Sequence, residues 1–193
     1  YAGATILGRV TIGKGAVIDP RAADVSFHWL DRFRERGLAW VGELVPYRSK
    51  VDFDAPAWRP LFERCCELGL IVQLHNSEGV IALAGQMPEL KIVCAHLTAE
   101  WLGALAAHPN VWLDLSGVDG GLRPGMMESA LAAFGPDRLL WATDYTAFDP
   151  ACFVVRAERA FPNREIRRKV FSGNLLNLLR SAGSVPPFTG AGK

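Results

Sequence analysis

Four short apolar segments of this chain each end at a side chain that can bind a metal ion or transfer a proton. In chain order, those side chains belong to Glu43, His75, His96 and Asp144. Imidazole nitrogens and carboxylate oxygens are ligands of zinc, and the same groups act as general acids and bases. The residue types therefore point to a metal-centred site, provided that the fold brings the four positions together.

The apolar segments that precede these residues have the length and composition of buried strands. They cover residues 39–42, 71–74, 91–95 and 139–143, and helix-forming sequence follows each of them. Strands that alternate with helices of ten to fifteen residues predict βαβ units and a parallel sheet. In a parallel barrel the active site lies at the carboxyl ends of the strands. We therefore expect the four side chains to lie along one rim.

The strand count predicts a barrel that is incomplete at its N-terminus. Two further strands, at residues 15–20 and 111–115, make six in all. A closed TIM-type barrel has eight strands and about 250 residues. We therefore predict one α/β domain over residues 1–193, a (β/α) barrel with six of the eight units and without the first strands. Residues 1–14 are expected to form an irregular lead-in, and residues 184–193 a frayed tail.

Helices are predicted between the strands. They cover residues 22–36, 54–68, 78–87, 98–108 and 126–134, with further helical pieces between 150 and 180. Thr98 is expected to cap the fourth of them.

Residues 6–18 have an alternative interpretation, because they resemble the hexapeptide repeats of a left-handed β-helix. Such coils need several stacked turns to bury a core, and about three partial turns fit here, so we favour the irregular lead-in.

Composition excludes several classes of partner. The chain has 193 residues and a net charge of +1, without the basic stripe that predicts a nucleic-acid partner. It has no apolar run of the ~20 residues that a membrane helix needs. The first residues carry no basic region of a signal peptide, and the chain starts without Met, as a fragment or a processed product would. Its four cysteines show no CxxC spacing, which favours free thiols and a cytoplasmic location.

The segments around the candidate residues resemble the amidohydrolase superfamily, in its amidohydrolase-related, metal-dependent branch. The matching segments cover residues 41–47, 72–75, 92–97, 111–117, 137–144 and 171–174. Their order and spacing carry the resemblance, because no single segment is decisive. The resemblance implies a TIM barrel that holds a divalent metal ion at its C-terminal mouth, and we expect that ion to be zinc.

The resemblance also implies a role for each residue. His75 corresponds to the strand-five histidine, a metal ligand, and Asp144 to the strand-eight aspartate, which binds metal and takes a proton from water. His96 corresponds to the strand-six histidine, which binds a second metal or contacts the metal water and the substrate. Glu43 falls where some members place a metal-bridging group. Asn174 matches a recurrent asparagine that we expect to be structural.

One feature of the family pattern is missing from the chain. The family begins with a His-x-His pair at the end of strand one, and no two histidines of this chain have that spacing. The resemblance therefore implies that the front of the barrel, with two metal ligands, is absent. The chain alone would then lack ligands on which activity depends. A partial barrel with two open sheet edges would also favour homo-oligomers.

The predicted function is metal-dependent hydrolysis of a small amide, ester or lactone by metal-activated water, with Asp144 and His96 as catalytic residues. The alternatives are a non-oxidative decarboxylase of the same family, or a non-catalytic barrel remnant that serves in binding or assembly. Arg48 and Tyr47 follow the predicted strand at residues 39–42 and are expected to contact an acidic substrate, although a charge such as that of Arg48 more commonly lies in a solvated loop.

Several residues have a structural interpretation beside the functional one. Glu43 is as well suited to a salt bridge at a strand end as to a metal site. Asp114 could belong to the site, but the sequence Asp-Leu-Ser-Gly favours a turn in which Asp114 caps the backbone. His28 and His108 lie in or at the end of predicted helices and are interpreted as structural.

Overall fold

A parallel sheet of five strands forms the centre of the protein. The computed structural model describes residues 18–184, apart from the side chains of Arg48, Val118 and Asp119. In this region the strands pair in sequence order, each with its chain neighbour. The strands are β1 (Trp40–Leu44), β2 (Ile71–His75), β3 (Lys91–Ala95), β4 (Val111–Asp114) and β5 (Leu139–Leu140). The observed architecture is thus α/β with the strand order of a (β/α) barrel.

Helices connect the strands and follow the last of them. The α-helices span Ala23–Glu35, Pro46–Ser49, Arg59–Glu67, Glu78–Gln86, Leu102–Ala106, Met126–Phe134, Pro150–Ala160, Arg164–Arg168 and Asn174–Ser181. Short 3-10 turns occur at Pro20–Ala22 and Pro56–Trp58, and π-helical turns at Gly117–Gly121 and Lys169–Gly173. No helix of residues 18–184 is both long and apolar enough to cross a membrane.

The sheet is buried on both faces, which explains why its strands read as continuous apolar runs. Strand β2 contributes Ile71, Val72 and Leu74 to the core, and all three are at most 1% exposed. All four cysteines are free thiols, and burial raises the pKa of Cys65 and Cys94 above the usual range. These two thiols therefore act as small apolar core residues.

Three polar side chains bind carbonyl groups at the N-terminal ends of the strands. The amide nitrogen of Asn110 lies 3.0–3.3 Å from three carbonyl oxygens of the segment 84–90. The guanidinium of Arg138 donates to three carbonyls of the segment 106–111 at 2.7–3.0 Å. Asn174 donates to the carbonyls of Pro136 and Leu139, both at 2.8 Å. These contacts hold the loops at the rim opposite the candidate residues.

We expect Asn110→Ala to destabilise the fold by about 2–3 kcal/mol, because it removes the side-chain donor that three buried carbonyl groups share. A chain of this size then loses roughly 4–12 °C in melting temperature, which calorimetry measures. The matched control is Asn177→Ala, since Asn177 is exposed on the helix Asn174–Ser181. Equal melting temperatures for the two variants would show that the Asn110 contacts add nothing.

Two predictions about local structure are wrong. Of the strand predicted at 15–20, residues 18–20 form a bend that leads into a 3-10 turn, and the rest lies outside the described residues. The reason is that the Asp19 side chain caps this turn by accepting from the backbone N–H of Arg21, while Pro20 begins it. Thr98 caps no helix, because its hydroxyl binds Asn76 Nδ2 at 2.6 Å, and the helix is confined to Leu102–Ala106.

Candidate metal centre

Glu43 lies at a point where β1 comes unusually close to β2. The pairing register of the two strands shifts between Val41 and Leu44. At Gly42 the backbone has a φ of +136°, and a Cβ atom there would lie 2.4 Å from the carbonyl oxygen of Gln73. Only glycine fits such an approach. The irregularity redirects the chain at Glu43, as bulges beside functional sites commonly do.

Glu43, His75 and His96 converge at the carboxyl ends of β1, β2 and β3. Glu43 Oε1 lies 2.7 Å from His75 Nδ1 and 3.3 Å from His96 Nε2. One donor atom from each of the three residues lies within 4.8 Å of the other two. The two imidazole rings meet edge to face, with centroids 4.9 Å apart. All three side chains are partly buried, so they form a compact cluster of two nitrogens and one oxygen.

The electrostatics of the cluster favour a cation. Burial of Glu43 favours the neutral acid, but hydrogen bonds from His75 and His96 outweigh it and lower the pKa of Glu43 to about 2. Burial also disfavours the imidazolium of His96, yet the Glu43 hydrogen bond and the charges of Asp114, Glu43 and Asp144 raise its pKa to about 9. Three carboxylates therefore stabilise positive charge at His96, which a divalent ion could supply instead of a proton.

Two of the predicted residues have left-handed backbone conformations. The φ angle is +67° at His96 and +57° at Asp144. Residues other than glycine rarely adopt this region, and such strain tends to accumulate at functional sites. At His96 the backbone N–H donates to Asp114 Oδ1 at 3.0 Å, which holds the strained residue in place.

The other predicted site residues, Asp144, Tyr47 and Arg48, are not members of this cluster. Asp144 is exposed and is not one of the three clustered residues, although its charge acts on His96. Tyr47 is 64% exposed, and the edge of its ring packs on His75 with a centroid distance of 5.4 Å. The side chain of Arg48 lies outside the described residues. The roles of Asp144, Tyr47 and Arg48 therefore stay predictions.

Sequence reasoning missed part of the surroundings of His96. Asp114 forms the expected turn by accepting from the backbone N–H of Ser116 at 3.0 Å, but it also contacts Gln73 and His96. The signal available in the sequence was Gln73, a polar residue in an otherwise apolar strand. Buried polar groups need partners, so Gln73 indicated a polar network inside the sheet.

The cluster has the chemistry of a divalent metal site. Zinc bonds of about 2.0–2.2 Å place tetrahedral ligand atoms roughly 3.5 Å apart. The three donor atoms already lie within 4.8 Å of one another, so small side-chain shifts would bring them to ligand spacing. Three protein ligands and one open position are the arrangement of catalytic zinc sites. The residues present therefore fit a divalent ion.

A comparison with models of protein families identifies the family of this chain. The family model described as amidohydrolase matches residues 9–180. The chain belongs to the amidohydrolase family. The resemblance inferred from the sequence is thereby confirmed, and the family uses divalent metals, in agreement with the donor set at the carboxyl ends of the strands. Comparison with curated proteins gives no significant match.

Solved structures with the same fold include decarboxylases and an assigned hydrolase. A manganese-bound dihydroxybenzoic acid decarboxylase from Polaromonas sp. shares 17% identity with a TM-score of 0.66, over 86% of this chain and 67% of that chain. The 5-carboxyvanillate decarboxylase of Sphingomonas paucimobilis shares 16% with a TM-score of 0.67, over 91% and 70%. A Pseudomonas putida protein assigned as a 2-pyrone-4,6-dicarboxylic acid hydrolase shares 20% with a TM-score of 0.62, over 80% and 68%.

These similarities establish the fold of this amidohydrolase-family chain. The identities are low, so the activities named for those proteins do not transfer with the architecture. The chain spans about two thirds of the length of each of the three structures. A partial TIM-type barrel, with its candidate metal ligands at the C-terminal rim, accounts for both the coverage and the strand order.

Proposed function

We propose that this amidohydrolase-family chain carries the metal-binding rim of a hydrolase that cleaves a small amide, ester or lactone with water. The single observation that carries the proposal is the convergence of Glu43, His75 and His96 at the ends of three adjacent strands. Convergence at the C-terminal rim is typical of catalytic sites in this fold. We propose zinc as the ion, because two imidazoles and one carboxylate suit it.

Each residue has a distinct task in the proposed reaction. His75, His96 and Glu43 would hold the ion. When bound, a divalent ion polarises a substrate carbonyl and lowers the pKa of water from 15.7 toward about 7. Asp144, exposed beside His96, would accept the proton of the attacking water and return it to the leaving group. The Asp144 backbone is left-handed, with a φ of +57°, and the residue is exposed and outside the cluster of three.

The substrate is expected to be small and acidic. Tyr47 presents an exposed ring beside His75 and would pack on the bound molecule. Arg48 is proposed from the sequence to bind a carboxylate of the substrate.

We also propose a cytoplasmic location and a homo-oligomer, as predicted from the sequence. Light scattering of the purified chain tests the oligomeric state.

A non-oxidative decarboxylase is the second candidate, because several of the structures that share the fold are decarboxylases, among them those of dihydroxybenzoic acid and 5-carboxyvanillate. In that reaction carbon dioxide leaves and the ring carbon takes a proton, so no water attacks. An assay with lactones, esters and amides beside hydroxybenzoates, with carbon dioxide release recorded, separates the two. Metal binding without turnover of either class would favour the non-catalytic remnant.

Metal should stabilise the folded chain if the cluster binds it. At a zinc concentration 100 times the Kd we expect about 2.7 kcal/mol of stabilisation, or roughly 5–10 °C in melting temperature. Glu43→Gln should remove most of this shift, since it deletes the charge without changing the shape of the side chain. Glu158→Gln is the matched control, because Glu158 is exposed on the helix Pro150–Ala160. A full shift in Glu43→Gln would exclude Glu43 as a ligand.

A further inference from the structure

A chain of hydrogen-bonded polar groups crosses the sheet beneath the candidate metal centre. The indole nitrogen of Trp40 on β1 donates to Gln73 Oε1 on β2 at 3.2 Å. Gln73 Nε2 in turn donates to Asp114 Oδ2 at the end of β4, at 3.0 Å. Trp40 and Asp114 are each 4% exposed, and Gln73 between them is partly buried.

The indole determines the direction of this chain of hydrogen bonds. An indole N–H can only donate, so the carbonyl oxygen of Gln73 must face Trp40. The amide NH₂ of Gln73 must then face Asp114, and Asp114 Oδ2 is an acceptor. The orientation of a glutamine amide is ambiguous by shape alone, and here the donor-only Trp40 removes the ambiguity.

The other oxygen of Asp114 is also an acceptor. Asp114 Oδ1 lies 3.0 Å from the backbone nitrogen of His96 and 3.0 Å from that of Ser116. It lies 2.5 Å from the Ser116 hydroxyl. Among the groups that the structure describes, the Gln73 amide and the backbone N–H groups of His96 and Ser116 can only donate to this carboxylate, and an ionised Asp114 also accepts from the Ser116 hydroxyl. The hydroxyl proton of Ser116 therefore points to Asp114.

The position of the proton on His96 follows from that direction. Ser116 Oγ lies 2.7 Å from His96 Nδ1. A serine has one hydroxyl proton, and Asp114 receives it, so Ser116 Oγ can only accept from His96. His96 must therefore carry a proton on Nδ1. The other ring nitrogen, Nε2, lies 3.3 Å from Glu43 Oε1 and donates to it while the ring is an imidazolium. The Nδ1 contact with Ser116 is shorter, at 2.7 Å, so Nε2 is the nitrogen that loses its proton when the ring becomes neutral.

We infer that Trp40, Gln73, Asp114 and Ser116 are positioning residues that hold the His96 proton on Nδ1 and thereby present Nε2 to the metal centre. Partners of this kind set which imidazole nitrogen can bind an ion. The inference rests on the proposed function only in what Nε2 binds, because the location of the proton follows from the hydrogen bonds of the metal-free protein.

Nitrogen-15 NMR of histidine-labelled protein tests the inference without metal and without turnover. At alkaline pH, where the ring is neutral, the wild-type spectrum should show His96 with its proton on Nδ1. Ser116→Ala removes the acceptor, and the proton should move largely to Nε2. Trp40→Phe leaves every group that touches His96 in place but frees the Gln73 amide to rotate, so a mixture of the two tautomers is expected.

The controls are Ser129→Ala and Trp29→Phe, which change a serine and a tryptophan on helices away from the site and should leave the spectrum unchanged. A proton on Nε2 in the wild type, or on Nδ1 in both Ser116→Ala and Trp40→Phe, would overturn the inference.

Calorimetric titration with zinc then separates this inference from the proposed function. Ser116→Ala should bind zinc 10–100-fold more weakly than the wild type, as is typical when the partner of a metal-binding histidine is lost. A wild-type protein that binds no zinc would refute the proposed metal site, yet the Nδ1 proton would still be found. Unchanged zinc affinity in a Ser116→Ala variant whose proton has moved would refute the link between the network and the metal.

Discussion

Replacing His75 with alanine is expected to reduce the affinity for zinc more than 100-fold. The loss of an outer partner of a metal ligand alone costs 10–100-fold, and His75 is proposed as a ligand itself. Its Nδ1 lies 2.7 Å from Glu43 Oε1, so the variant would leave Glu43 and His96 without a third donor. Elemental analysis of the purified protein measures bound metal, and calorimetric titration measures the affinity.

The chain offers matched controls for this experiment. His28 lies on the helix Ala23–Glu35 and His108 precedes β4, both apart from the cluster. His28→Ala and His108→Ala should therefore retain full metal content. Asp144→Ala extends the series, since a loss of metal would show that Asp144 joins the cluster when an ion is bound. Unchanged metal content in both His75→Ala and Asp144→Ala would refute the ligand assignments.

Replacing Gly42 with alanine should destabilise the fold by about 3 kcal/mol or more. The new Cβ would lie 2.4 Å from the backbone oxygen of Gln73, at a φ of +136° that side chains other than hydrogen rarely allow. A backbone atom in the centre of a sheet cannot move aside as a side chain can. Strand β1 would have to separate from β2, which would also displace Glu43 from the two histidines.

Chemical denaturation of Gly42→Ala measures this cost, with Gly103→Ala as its control. Gly103 is exposed on the helix Leu102–Ala106, and nothing lies within 4 Å of a Cβ placed there. Alanine is favoured over glycine in a helix, so Gly103→Ala should stabilise the fold by about 0.5–1 kcal/mol. A Gly42→Ala variant as stable as the wild type would show that β1 is not held against β2 as described.

Much of the fold could be predicted from the sequence because its signals are local. The strands predicted at residues 39–42, 71–74, 91–95, 111–115 and 139–143 each begin and end within three residues of an observed strand, since apolar runs between Gly, Pro and Asn residues mark them. The helix Met126–Phe134 matches its prediction, with glycine on either side. The prediction that strand ends deliver candidate residues to one rim is realised for Glu43, His75 and His96.

Features that depend on distant contacts could not be predicted. Glu43 suited a salt bridge or a metal site equally well from sequence alone, and its two histidine contacts come from strands 32 and 53 positions away. Thr98 has the residue type of a helix cap, but Asn76 binds it from another loop. Asp114 has the local pattern of a turn, and only the sheet reveals its contact with Gln73.

The side chains that secure the loops at the N-terminal ends of the strands have a consequence for evolution. Asn110, Arg138 and Asn174 satisfy carbonyl groups there, while the candidate metal ligands lie at the opposite end. The contacts that secure these loops are therefore separate from the residues proposed for the chemistry. Substitutions near the substrate could alter selectivity while leaving the scaffold intact, which suits an architecture whose members act on unlike molecules.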